Sequence, residues 1–461
     1  MSLPLPPLAG LCSYDEATRP SYGVERAVRL LVRYAWIEKR AMETGLFWMN
    51  PTPEWEVKEA LSLHLYQDAD HARLIRQRVA EMRNPPPRMD TSPDPALDRF
   101  FDELLAAGDT LEKIVAFYGV LKPALLDAYR THYATANPLV DHPTRRMLRF
   151  MIMEEEDAVA WGRAALDALS QTPDDRQRAD AWIAHLRAYL DAAGGIMGDS
   201  PVPDDLPAPR AHGDFTPDFF PQRDERFAGR WNFVFPPHEV ARTEGVPVDE
   251  KTLALMCKRA LEIDVPEAMA RMIAEAGDQP WDYYVDMSRQ LWDEARHAMM
   301  GTVYFEAHGI DWRQEIPLHL GFGIRLNQHM TPLEAHAVLY TIEQSLMPAK
   351  TGKRYEWEVA LDAGDDLATL FQDYDWADEV LHAQIGRRWL LAARNLSRED
   401  AEKLGRQKGS ESEAALAQYA DRGDQINWWP EFVRNVLGKE TAMTRFEMET
   451  TDPFYRNAGG D

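Results

Sequence analysis

An all-α protein of two tandem helical bundles is what the sequence predicts, and three observations carry that prediction. Long segments place apolar residues at helical spacing, i, i+3, i+4 and i+7. A stretch dense in proline divides these segments into two sets. The second set repeats landmarks of the first at an offset near 225 residues, for example Glu155 on Glu379 and Gly162 on Gly386, as an internal duplication would.

In chain order, helical periodicity starts near Tyr22 and recurs over Val24 to Leu46, Trp55 to Met82, Pro95 to Tyr133 and Thr144 to Leu169. A further helix is expected from Asp180 to Ala193, ended by Gly194-Gly195. Residues 196–248 form the connector, because nine prolines between Pro201 and Pro247 leave no room for a regular element. That connector also holds Phe215, Phe219, Phe220, Phe227, Trp231, Phe233 and Phe235, which predicts a segment packed on the bundles. Helical spacing resumes over Asp249 to Glu275, Trp281 to His308, Thr331 to about Leu361 and Asp365 to Asn395. The expected domains are therefore 1–195, 249–400 with the metal-ligand residues, and a C-terminal extension, 401–461. The extension's Trp428, Trp429, Phe432, Phe446, Phe454 and Tyr455 predict docking on the body or on a second copy of the chain.

With 461 residues, 45% of them apolar and 28% charged, the chain is long enough for two cores and has the balance of a globular protein. A formal net charge of -25 argues against nucleic acid, since phosphate binding needs clustered Lys and Arg. Cys12 and Cys257 are too few for a disulfide framework or a thiolate metal site. The first ten residues lack a basic region followed by an apolar one, and no run of eighteen apolar residues occurs, so a cytoplasmic protein without a membrane partner is expected.

Two segments of the second half carry chemistry: Asp293-Glu294-Ala295-Arg296-His297 and Asp378-Glu379-Val380-Leu381-His382. Each contains Glu-x-x-His, and on a helix residues three apart share a face, so one helix aims a carboxylate and an imidazole at one ion. A dinuclear carboxylate site needs one more Glu from each of two other helices. Glu262 and Glu343 stand in the required order, 32 residues before Glu294 and 36 before Glu379. Glu267 is a rival for the first position. About one Glu-x-x-His is expected by chance among thirteen histidines, so it is the order of the six residues that points to metal. Gly301 and Gly386, each four residues after a motif histidine, leave room beside the ions or serve close helix packing.

This arrangement resembles the ferritin-like di-iron carboxylate superfamily over about Asp249 to Asn395. The form Asp-Glu-x-Arg-His is especially similar to that of bacterial multicomponent hydrocarbon monooxygenases. By that resemblance Asp293, Arg296 and Asp378 brace the ligands from behind. Leu381 stands where the second motif would carry Arg, so only the superfamily is carried over.

The first half keeps a partial copy. Leu65 to Ala72 align with Leu291 to Ala298, Glu38 with Glu262, and Leu121-Lys122-Pro123-Ala124 with Leu346-Met347-Pro348-Ala349. Glu38, Asp68, His71 and Glu155 remain as ligand types, whereas Tyr118 replaces the Glu343 equivalent and Ala158 the His382 equivalent. A relict polar cluster in a scaffold domain is the expectation.

Carboxylate and imidazole ligands suit two Fe ions, or Mn. The resemblance implies an oxidoreductase that uses dioxygen on a small organic substrate, as an oxidase or oxygenase. The alternatives are a ferroxidase, a di-manganese catalase-like enzyme, and a non-catalytic metal-binding or assembly protein. An electron-donor protein and a second copy of the chain are the protein partners that this reading admits.

Overall fold

The computed structural model describes residues 5–203 and 205–443, and among them it is helical throughout with no strand. No described helix is long and apolar enough to cross a membrane. The chain divides into two compact units: residues 1–44 with 67–217, and residues 45–66 with 218–461. This partition departs from the expected boundaries. The connector is shared between the units, and residues 45–66, assigned by sequence to the first domain, belong to the second.

Unit 1 draws on α1 (Val24–Met49), α2 (Trp55–Met82), α3 (Pro95–Leu105), α4 (Thr110–Ile114), α5 (Lys122–Thr135), α6 (His142–Leu169) and α7 (Pro173–Ala192). The single helix expected over Pro95 to Tyr133 is interrupted instead. Ala107 and Gly108 lie outside any regular element, Asp109 starts α4 by accepting the Glu112 amide at 2.9 Å, and Val115–Leu121 winds as a π-helical turn before α5. Helix α7 begins earlier than expected because Thr172 and Asp175 form a capping box with Pro173 at the first turn. Buried Tyr34, Trp36, Phe100, Phe101, Phe117 and Tyr129 fill the interior.

Unit 2 contains α8 (Val248–Leu261), α9 (Asp264–Ala274), α10 (Trp281–Ala307), α11 (Gly321–His329), α12 (Pro332–Ser345), α13 (Lys353–Asp362), α14 (Asp366–Gly386), α15 (Arg398–Ala415) and α16 (Trp429–Leu437). The helix expected over Asp249 to Glu275 breaks at Glu262-Ile263. Pro266 explains the break: it has no amide to offer the Glu262 carbonyl four residues back, and its ring crowds that carbonyl. The helix expected over Thr331 to Leu361 also breaks, through Pro348 and Gly352; a Cβ at Gly352 would lie 2.0 Å from the Leu346 carbonyl oxygen. Helix α10 packs against α8, α9 and α14, while α12 packs against α14 and α15.

The C-terminal part is integral to this unit. Gly405 of α15 sits where a Cβ would be 2.1 Å from the Thr341 hydroxyl, and Trp428, Trp429 and Phe432 join Phe227, Phe235, Trp55 and Phe305 in one core. The Trp429 indole donates to Glu250 at 3.1 Å, and that of Trp428 to the Val234 carbonyl at 3.0 Å. Phe446, Phe454 and Tyr455 lie outside the described residues.

Candidate metal centre

Four helices of unit 2 bring the six predicted ligand residues to one place. Glu262 comes from the break after α8, Glu294 and His297 from α10, Glu343 from α12, and Glu379 and His382 from α14. Glu294 faces both imidazoles: its Oε2 is 3.8 Å from His297 Nδ1, and its Oε1 is 3.3 Å from His382 Nδ1. His297 Nδ1 is also 3.6 Å from Glu262 Oε2, and His382 Nδ1 is 3.6 Å from Glu379 Oε2. Donor atoms that share an ion through bonds of roughly 2.1 Å stand roughly 3 to 4 Å apart. Glu262 with Glu294 and His297, and Glu343 with Glu294 and His382, each bring one ligand atom apiece to within 4.8 Å of one another, with Glu294 common to both groups.

The chemistry of these atoms fits metal ions. His297 Nδ1, His382 Nδ1, Glu262 Oε2, Glu343 Oε2 and Glu379 Oε2 are buried and make no hydrogen bond. Leaving five such atoms unpartnered costs stability unless a ligand satisfies them. Mutual electrostatics tell the same story. Burial pushes Glu343 well above the usual carboxylate range, and Glu379 and Glu294 beside it push it further. Burial also pushes Glu262 up, to about 7, although Arg259 and Lys353 pull it down. Against the opposing effect of burial, Asp375, Asp378, Glu294 and Glu262 raise His297 to about 9. Carboxylates around His382 raise it likewise, well above the ordinary histidine value.

The rear faces of the two histidines are held crosswise. His297 Nε2 lies 3.2 Å from Asp378 on the opposite motif helix, and His382 Nε2 lies 3.5 Å from Asp293. Arg296 joins the two aspartates, with its Nη2 2.7 Å from Asp378 and also bonded to Asp293. Asp293, Arg296 and Asp378 thus stand behind the inward-facing atoms, where a bracing role requires them.

The rival Glu267 is placed elsewhere. It is fully buried, but its Oε1 accepts from Lys58 and from Arg223 at 2.8 Å, and it belongs to no ligand group. The glycines serve packing and open no space. A Cβ at Gly301 would come 2.3 Å from the Ala260 amide nitrogen, and one at Gly386 would come 2.6 Å from the Tyr340 ring.

Sequence reasoning missed three residues at the rim. Lys353 Nζ contacts both oxygens of Asp375 and Glu379 Oε1, each at 2.8 Å. Arg259 bonds Asp375 and lies 2.7 Å from Glu262 Oε1. Asp375 also approaches His297 Nδ1 to 3.3 Å, forming with Glu379 a third potential ligand group. Spacing offered a signal for two of them: Asp375 is four residues before Glu379, and Arg259 three before Glu262. Lys353 lies beyond the Pro348 break, and no local pattern marks it.

Unit 1 assembles Glu38, Asp68, His71 and Glu155, as expected for a relict cluster. Here, however, Lys122 Nζ bonds Asp68 and reaches Glu155 at 2.7 Å. Tyr129 donates to Glu38, and both His71 nitrogens are engaged, Nδ1 with Glu38 at 3.1 Å and Nε2 with Glu154 at 2.8 Å. Burial opposes a charge on His71, yet Glu38, Glu154 and Glu155 raise it to about 10.

Comparison with protein-family models, with curated proteins and with solved structures found no match.

Proposed function

We propose that unit 2 is a dinuclear carboxylate metal centre, most simply di-iron, of a ferritin-like bundle, and that it activates dioxygen to oxidise a small organic molecule. The observation that carries this reading is the inward convergence of His297 Nδ1, His382 Nδ1 and three glutamate oxygens that have no hydrogen-bond partner. Two tandem bundles of common descent, the second retaining the full ligand set, are part of the same proposal.

The residues present would hold two ions through Glu262, Glu294, His297, Glu343, Glu379 and His382. When bound, two ferrous ions supply two electrons together to dioxygen, with further electrons coming from the substrate or a separate donor. The chain's own contribution is positional. Asp378 and Asp293 orient the imidazoles, and Arg296 fixes those aspartates. Lys353 and Arg259 offset part of the carboxylate charge, leaving the remainder for divalent ions. Gln290 Nε2 donates to Glu343 Oε1 at 3.1 Å, which steadies one oxygen and leaves Oε2 to ligate.

The test is anaerobic loading with ferrous iron followed by dioxygen, watched by absorption and Mössbauer spectroscopy. Two irons per chain in a coupled pair, oxidised rapidly, are expected, and Glu343→Ala should retain the helical fold but lose the reaction. Absence of iron binding, or binding unaffected by His297→Ala, would sink the proposal. Peroxide disproportionation by manganese-loaded protein, without a dioxygen reaction, would turn it to the catalase-like reading.

A further inference from the structure

We propose that the ammonium of Lys122 is a built-in occupant of the unit 1 cage, closing to metal ions a site that its four ligand-type residues would otherwise form. Glu38, Asp68, His71 and Glu155 each offer one atom within 4.8 Å of the others, and all four are buried. In a metal site these atoms would turn to one ion. Lys122 takes that role: it is 1% exposed, and its single nitrogen joins Asp68 to Glu155, residues from two different helices.

The histidine is disarmed in the same way. To ligate, an imidazole must offer a lone pair, and its other nitrogen donates rearward. His297 does this, with Nε2 on Asp378 and an unbonded Nδ1 turned inward, and His382 likewise has an unbonded Nδ1 turned inward while its Nε2 lies 3.5 Å from Asp293. His71 does not, because carboxylates accept from both of its nitrogens. Two internal cations, Lys122 and His71, thereby face the buried carboxylates Glu38, Asp68 and Glu155. A divalent ion placed among them would have to displace an ammonium that bonds two of the four ligand-type residues and a proton shared by an imidazole engaged at both nitrogens. In unit 2, by contrast, Lys353 touches Glu379 through Oε1 and leaves Glu379 Oε2 and both inward Nδ1 atoms unbonded.

What remains is a latent site. Glu38 Oε2, Asp68 Oδ2 and Glu155 Oε2 are buried and have no hydrogen-bond partner. In the sequence alignment of the two halves the residue opposite Lys122 is Met347, a side chain of similar length without charge. Lys122→Met should therefore free Asp68 and Glu155 and let the four residues take one divalent ion, Mn(II) or Co(II) being suitable probes.

The experiment uses the full chain with His297→Ala and His382→Ala, so that unit 2 contributes a fixed background. Bound Mn(II) is counted by equilibrium dialysis and metal analysis, with circular dichroism as the check on folding. With Lys122 intact, adding His71→Ala should change nothing. With Lys122→Met, bound metal should rise by one ion per chain, and His71→Ala should remove that increment. A His71-dependent ion in the Lys122 chain would overturn the proposal, as would a folded Lys122→Met chain that gains none. Should Lys122→Met fail to fold, Lys122→Gln carries the same comparison, and the His71→Ala result with Lys122 intact decides whether the cage is closed.

Discussion

His297 Nε2 lies 3.2 Å from Asp378 Oδ2, on the helix that bears the other Glu-x-x-His motif. The aspartate before each motif glutamate thus braces the histidine of the opposite motif, Asp293 facing His382 at 3.5 Å in return. Asp378→Asn keeps the size of the side chain but removes the charge that makes His297 a strong donor to metal. Metal affinity should fall about 10- to 100-fold, the range seen when such outer partners are lost, with little change in thermal stability. A competition titration against a chelator of known affinity measures it, and an unaltered affinity would remove Asp378 from the centre.

Gly301 controls how closely α10 approaches α8, because a Cβ there would meet the Ala260 amide nitrogen at 2.3 Å. Helix α8 ends on Glu262, so any parting of the two helices carries that carboxylate away from His297. Gly301→Ala is expected to destabilise unit 2 by about 1 to 3 kcal/mol through overpacking, and to lower metal occupancy as well. Denaturant unfolding with metal analysis on the same sample checks both. A more stable, fully loaded variant would show that the close approach is dispensable.

Much of this was legible in the sequence, and the reasons differ by residue. Trp55–Met82 and Trp281–Ala307 were readable because their periodicity runs uninterrupted between clear stops. Glu294, His297, Glu379 and His382 were readable because Glu-x-x-His encodes a shared helix face locally, and Glu262 and Glu343 because each precedes a motif by about one helix and a turn. The break at Glu262-Ile263 was missed although Pro266 announces it, since apolar spacing continues across it. Lys353 was not readable at all, because a long-range contact leaves no mark on local spacing. Glu262 and Glu267 could be told apart only in three dimensions, where Lys58 and Arg223 claim Glu267.

That distinction is testable with paired variants. Glu267→Ala leaves Lys58, which is fully inaccessible, without its carboxylate partner and Arg223 with only Asp264 at 3.9 Å. Breaking a buried pair from one side typically costs about 3 to 5 kcal/mol. Glu262→Ala removes a carboxylate whose side chain is 14% exposed and leaves Arg259 its Asp375 partner, so it should cost less in stability, yet weaken metal binding. The expected crossover is a low melting temperature with metal retained for the first, and the reverse for the second. The same ranking of both variants in both assays would refute it.

The last prediction concerns protons. Nδ1 of His297 and His382 must be unprotonated to ligate, but the surrounding carboxylates hold His297 up to about 9 and His382 well above its ordinary value. Glu343 is likewise pushed well above the usual carboxylate range, by burial and by Glu379 and Glu294. At pH 7 the metal-free protein therefore carries protons where ions would bind, and metal uptake must expel them. The sign follows directly: each proton displaced makes affinity rise with pH, up to about 9 for His297, and His382, raised in the same direction, adds to that slope. Titration calorimetry of Mn(II) binding in buffers of different ionisation enthalpy should report release of at least two protons per chain at pH 7. His297→Ala should lower that number by one. Affinity independent of pH between 6 and 8, with no proton release, would mean that the two histidines do not ligate.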